Sequence, residues 1–238
     1  GSSGPIGKYP GKLGQAIQFD GKAASTTVGN VSSSVKSVAF WIKAATTTAR
    51  DNILDLNGSG TNIEIVSNTV TANGFTSPTI YVDGKVSSTI ADKNWHHVVV
   101  TTATPINASS VALGVVANTY GGFSLDDFRM YNRVLSQSDV TRLYGLGGTS
   151  YISTTVPTNT NLTTAGNGLL LDYSFDAGTF STTSIADISG NGHTGTPSQD
   201  PGVTVQLLVV GGGGGGGFKR GGGGGGGGFI ATSSFILG

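Results

Sequence analysis

Along most of this chain, apolar and polar residues alternate in short runs with the two-residue period of half-buried β-strands. In residues 35–44, Val38, Phe40 and Ile42 fall on one face and Trp41 on the other. Shorter β-runs follow at 52–56, 62–66, 69–72 and 79–82, divided by Asn-Gly, Gly-Ser and Ser-Asn turn pairs. Asp83-Gly84 reads as a hairpin turn leading into 85–90. Further strands are expected at 95–101, 111–116 and 123–133. His96 and His97 are adjacent on a strand, so they point to opposite faces and cannot share one metal; a structural role at the sheet rim is expected for both. The period then changes. Ser136 followed by Asp139 is a helix N-cap pattern, and Val140 with Leu143 makes a short apolar stripe, predicting one helix near 136–144. These patterns predict an all-β fold, a two-sheet antiparallel sandwich with one short helix. Phe19, Phe40, Ile42, Val98, Val100, Phe128 and Leu143 are its expected core.

The pattern also divides the chain. Residues 1–146 carry the sandwich, and 147–167 form a Thr/Asn-rich stretch that reads as an extended linker. Alternation returns in 168–202, where Leu169, Leu171, Tyr173 and Phe175 share a face before the turn sequence Asp187-Ile-Ser-Gly-Asn191-Gly-His193. Residues 203–238 differ in kind: a β-run, seven glycines (211–217), Phe-Lys-Arg, eight glycines (221–228) and a second β-run. A lone oligoglycine run loses the most entropy on ordering. Two runs of similar length between β-segments are instead expected to be ordered against other backbone, as polyglycine helices or extended strands.

Several of these motifs resemble a laminin-G-like (concanavalin A-like) jelly roll. The carriers are G-K-L-G-Q-A-I-Q-F-D-G at 11–21, W-H-H-V at 95–98 and G-F-S-L-D-D-F-R-M-Y-N-R-V-L-S at 122–136. The strand and D-I-S-G-N-G loop of 168–192 resemble the opening of such a domain, yet here they follow its body. The resemblance implies a sandwich that lacks its own first strand. It also implies a calcium site built from Asp187, Asn191 and the backbone carbonyl of His193 with Asp126 or Asp127, since Ca²⁺ prefers oxygen ligands. Without an ion, Asp187 would cap its own turn and Asp127 would pair with Arg129 or Arg133. Trp41 is either a sugar-stacking platform, as concave-face aromatics are in some relatives of the family, or cover for the far face of the sheet. The 203–238 segment resembles the glycine-rich modules of phage tail adhesins.

Composition narrows the chemistry. Net charge is zero and only 11% of residues are charged, against ~25% in ordinary soluble domains. With no basic patch, nucleic acid is not an expected partner. Cysteine is absent, which removes disulfides and thiolate chemistry. No apolar run reaches the ~20 residues of a membrane-spanning helix. Glu64 is the sole glutamate, so a pair of catalytic glutamates is impossible, and no G-x-S-x-G or H-E-x-x-H motif occurs. The expectation is a protein without enzymatic activity, located outside the cell, at its surface or on a virion.

Two functions remain. In the first, the chain is a structural subunit of an extracellular filament or surface array, its partners being copies of itself. The assembly strand Leu169, Leu171, Tyr173 and Phe175 would complete a neighbour's sandwich, as in donor-strand complementation. The alternative is a carbohydrate-binding or adhesive module that recognises surface glycans. Folding back of 168–200 onto its own chain, a circular permutation yielding a monomer, competes with donation.

Overall fold

The computed structural model describes residues 9–45, 50–58, 60–148, 167–181, 183–198, 203–210 and 229–237. They fall into two compact units, one within residues 5–199 and one within 200–238. In the first unit the chain runs through β1 (Tyr9–Pro10), β2 (Gln15–Asp20), β3 (Ser25–Gly29), β4 (Ser32–Ala44), β5 (Asp51–Asp55), β6 (Asn62–Val66) and β7 (Thr69–Asn73). It continues through β8 (Thr79–Val82), β9 (Lys85–Val86), β10 (His96–Ala108), β11 (Val111–Leu113), β12 (Val115–Val116), β13 (Thr119–Tyr120) and β14 (Gly122–Tyr131). Helix α1 (Gln137–Gly148), β15 (Leu169–Tyr173) and β16 (Thr196–Ser198) follow.

Two antiparallel sheets pack face to face. One has the order β1-β2-β14-β4-β10-β8-β9, with β15 paired to β14; the other has the order β16-β3-β11-β5-β6-β7. Strand β4 is central because its alternation serves two layers. Val38, Phe40 and Ile42 enter the core between the sheets, while Ala39 packs beneath α1; Val35 joins the same core across a shift in the pairing with β10. Against it, β10 sets Val98 opposite Phe40 and Val100 opposite Val38. Asp83 and Gly84 both have positive φ (51° and 79°), the backbone of the type I′ hairpin that this dipeptide predicts.

Strand β14 breaks the two-residue period. Phe123, Leu125, Phe128 and Met130 are all buried in the same core, although 125 and 128 are an odd number apart. The pairing with β4 shifts between Asp126 and Arg129, and Asp127 has φ 54°. One extra residue is accommodated as a β-bulge, which returns Phe128 to the core face.

Ser136 and Asp139 cap α1 reciprocally: Asp139 N–H donates to Ser136 Oγ (3.2 Å) and Ser136 N–H donates to Asp139 Oδ2 (2.9 Å). The helix runs past the expected end at 144 to Gly148. Leu143, expected in the core between the sheets, instead lies under this helix with Ala39, Val99, Tyr131, Leu135 and Val140. The other six expected core residues lie between the sheets.

The second unit contributes a hairpin, β17 (Val203–Val210) paired antiparallel with β18 (Phe229–Leu237). The glycine runs, and all but the ends of the 147–167 linker, lie outside the described residues.

Candidate functional site: the groove that takes the late strand

The segment 167–198 touches both sheets of its own chain. Strand β15 extends the first sheet through β14 (Phe128 opposite Tyr173, Arg129 opposite Asp172, Met130 opposite Leu171). Strand β16 extends the second through β3. Between them Leu171, Tyr173, Phe175 and Ile185 enter the inter-sheet core, none more than 1% exposed. This arrangement is the fold-back, the competitor of donation to a neighbour.

The four assembly residues do not share one face throughout. The pairing shifts between Met130 and Tyr131, which places Leu170 against the inter-sheet core and Leu169 against the layer under α1. Strict alternation predicted Leu169 inside with Leu171. The irregularity at Leu170 reverses it.

The loop after β15 is held by its own side chains. Asp187 Oδ1 accepts N–H groups from Asp172 (3.1 Å) and Ser189 (2.9 Å), and Oδ2 accepts the His193 N–H (3.0 Å). Partial burial works against the charge of Asp187, but these donors prevail and hold its carboxyl below the usual range. Asn191 Nδ2 donates to the carbonyls of Leu169 (3.0 Å) and Leu170 (3.1 Å). The His193 carbonyl accepts the hydroxyl of buried Tyr173.

A second set of groups lies around β14. Asp127 grips Arg129 through two hydrogen bonds of 2.7 Å each, and Asp172 takes the Arg129 Nε–H at 3.3 Å. Burial opposes the Arg129 charge, yet the two carboxylates outweigh it and raise its proton affinity. Asp126 is 1% exposed; its Oδ2 accepts the Leu13 N–H (2.8 Å) and its Oδ1 is buried without a partner. Burial pushes its carboxyl up to about 8, helped by the charges of Asp127 and Asp176. Asp172 is pushed up to about 6 by burial, with Arg129 pulling the other way.

The groups that the resemblance implies for calcium are engaged largely within the chain. Asp187 accepts three backbone N–H groups, Asn191 is turned to β15, the His193 carbonyl accepts the Tyr173 hydroxyl, and Asp127 is paired with Arg129, while Asp126 Oδ1 has no partner. Among the described residues no three His, Cys, Asp or Glu side chains are grouped to hold a metal ion. The turn-capping role of Asp187 is the one the geometry realises.

Trp41 is likewise no platform. It is 2% exposed, stacked on Tyr144 at 5.7 Å between ring centroids and flanked by His97 at 5.0 Å, with Lys12 Nζ 5.1 Å from the ring centroid. Gly147 permits this: a Cβ there would lie 2.1 Å from Trp41 Cζ2. His97 is buried beside it, its ring held neutral with a pKa lowered to about 3 by burial and by the charge of Arg129. His96 sits between Asp83 (2.7 Å) and Asp92 (3.0 Å). The sole glutamate, Glu64, is buried and bound by Arg50 and Asn73.

Three features of the groove are absent from the expected site: Asp172, Asp176, and Arg129 as a partner of the late strand. Asp172 and Asp176 carry a visible signal, two acids on the polar phase of an apolar alternation. Nothing in the sequence pairs them with Arg129 or with the 11–15 turn. Among the described residues no helix is long and apolar enough to cross a membrane. No family model matches the chain, and no curated protein matches it.

Proposed function

We propose that this chain is a structural subunit of an extracellular filament or surface array, in which residues 167–198 complete a sandwich and can exchange between neighbouring copies. One observation carries the reading: the segment supplies a strand to each sheet and four buried side chains to the core, yet it joins the sandwich from far along the chain. Without it, the β14 and β3 edges and the core behind them open to water. An open edge is a template for another strand. The twenty residues 149–168 reach ~66 Å when extended at ~3.3 Å each, enough for the segment to serve its own sandwich or the next. Exchange of an identical element between protomers gives a dimer if it is reciprocal, and a filament if each copy donates onward. The laminin-G-like resemblance and the lack of a paired-glutamate site agree with a scaffold role. The adhesive alternative is weakened, because the aromatic residue it relied on, Trp41, is covered by α1.

The test is sedimentation across a wide concentration range, paired with deletion of 168–238. The truncated chain should be unstable alone and rescued by an added 168–200 peptide, and the intact chain should form polymers on long incubation. An intact chain that stays monomeric at high concentration, with no exchange between differently labelled copies, would overturn the assembly reading.

A further inference from the structure

We propose that the groove reads two aspartates spaced four residues apart, and that Asp172 and Asp176, not the apolar side chains, fix the register of the strand that enters it. The inference deepens the completing role given above to residues 167–198, and it holds whether they come from the same chain or a second copy.

Apolar contacts leave the register open. Leu171, Tyr173 and Phe175 repeat every second residue on the core face, so a slip of two positions still aims large apolar groups at the core. No tight turn fixes it either. In a hairpin the loop length sets the pairing, but between Tyr131 and Leu169 lie helix α1 and some twenty further residues. What distinguishes one register from another is polar.

Two contacts do so. The first is Arg129, whose side chain is only 13% exposed and stands opposite Asp172 in the ladder, its Nε–H reaching Asp172 Oδ2 at 3.3 Å. A slip of two would bring Leu170 or Ser174 opposite Arg129 and carry a buried carboxylate away from its cation, the arrangement that low-dielectric surroundings penalise most. The second is the turn at 11–15. The Gln15 N–H donates to Asp176 Oδ1 at 3.0 Å, and Gly14, with φ 59°, leaves the space this carboxylate fills: a Cβ would stand 2.0 Å from Oδ1. The Gly11 N–H closes the same turn onto the Gly14 carbonyl at 3.0 Å. A slip of two residues moves Asp176 by ~7 Å and empties that seat. Buried polar pairs that select one register among several near-equal ones are the best-attested use of such groups.

The chain has no cysteine, so introduced pairs report register directly. Met130→Cys with Leu171→Cys marks the observed pairing; Phe128→Cys with Leu171→Cys marks a slip of two. In the otherwise unaltered full-length chain the first pair should oxidise at least about tenfold faster than the second, the discrimination of one good polar contact. In a background carrying Arg129→Met, Asp172→Leu and Asp176→Ala, where apolar groups replace the charges, that preference should collapse. A preference kept intact in this background overturns the proposal. Should this background lose cooperative melting, the near-isosteric Asp172→Asn with Asp176→Asn is read in the same way. Non-reducing gels separate the two questions: observed-register cross-links confined to monomers would sink exchange between copies while leaving the register reading standing.

Discussion

At the scale of single residues, two glycines of α1 make opposite predictions. Gly147 sits against Trp41, and Gly147→Ala would force a methyl group to 2.1 Å from the indole. Overpacking of this kind costs about 1–3 kcal/mol, seen as a lower melting temperature. At Gly145 an added Cβ would meet nothing within 4 Å, so Gly145→Ala should stabilise the helix by about 0.5–1 kcal/mol. Equal effects at the two positions would contradict the packing described. Asp126 makes a prediction in pH. Its folded value of about 8 lies above the ordinary 3.8, so its contribution is present at low pH and is lost as pH rises through 8. His97 works the other way: lowered to about 3 from 6.5, it contributes above pH 6.5 and loses that contribution as pH falls toward 3. From pH 6.5 to 8.5 Asp126 therefore dominates. Stability should decline there by at most about 1.4 kcal/mol per pH unit, and Asp126→Asn should flatten the decline in thermal melts.

At the scale of elements, β15 and its loop behave as one unit because Asp187, Asn191 and Tyr173 tie them together. Asp187→Ala leaves three backbone N–H groups without their acceptor, at a cost of about 1–3 kcal/mol. The loss should be the same in excess chelator as in millimolar calcium, since the carboxylate serves N–H donors. A melting temperature of the unaltered chain that falls on chelation would restore the calcium reading. The edges of the second sheet are treated differently from each other. Strand β7 is sealed by the 87–90 stretch, with Val70 N–H donating to the Ser88 carbonyl (2.7 Å) and Ile90 N–H to the Asn68 carbonyl (2.8 Å). The β3 edge is covered by β16, which carries Pro197. That second cover belongs to the late segment, so the proposed exchange would expose the β3 edge.

At the scale of the whole molecule, the sandwich is finished by a piece that arrives last. Phe128→Ala removes a ring that packs on both Phe40 (6.2 Å) and Tyr173 (6.4 Å). It should cost about 3–5 kcal/mol and weaken retention of the segment more than a core truncation far from the groove, such as Ile63→Ala. Hydrogen exchange compares the two: selective loss of protection in 169–175 is expected only for the first. Uniform loss in both would mean that the segment is no separate unit.

Much of this was legible along the chain. Alternation placed the strands, Asp83-Gly84 its hairpin and Ser136 with Asp139 the start of the helix, because propensity, capping and turn geometry act over a few residues. The β14 bulge was not: 123–133 reads as one unbroken strand, and the pairing with β4 reveals the extra residue. Contacts far apart in sequence were not. Whether Trp41 faced a sugar or a helix depended on a glycine 106 residues later, and the Tyr173 hydroxyl reaches the His193 carbonyl across the late loop. Period-two patterning specifies the buried face of β15 from Leu171 onward, not at Leu169, and does not tell apart slips of two residues. Only the folded arrangement brings Arg129 and the 11–15 turn to the two aspartates that distinguish them.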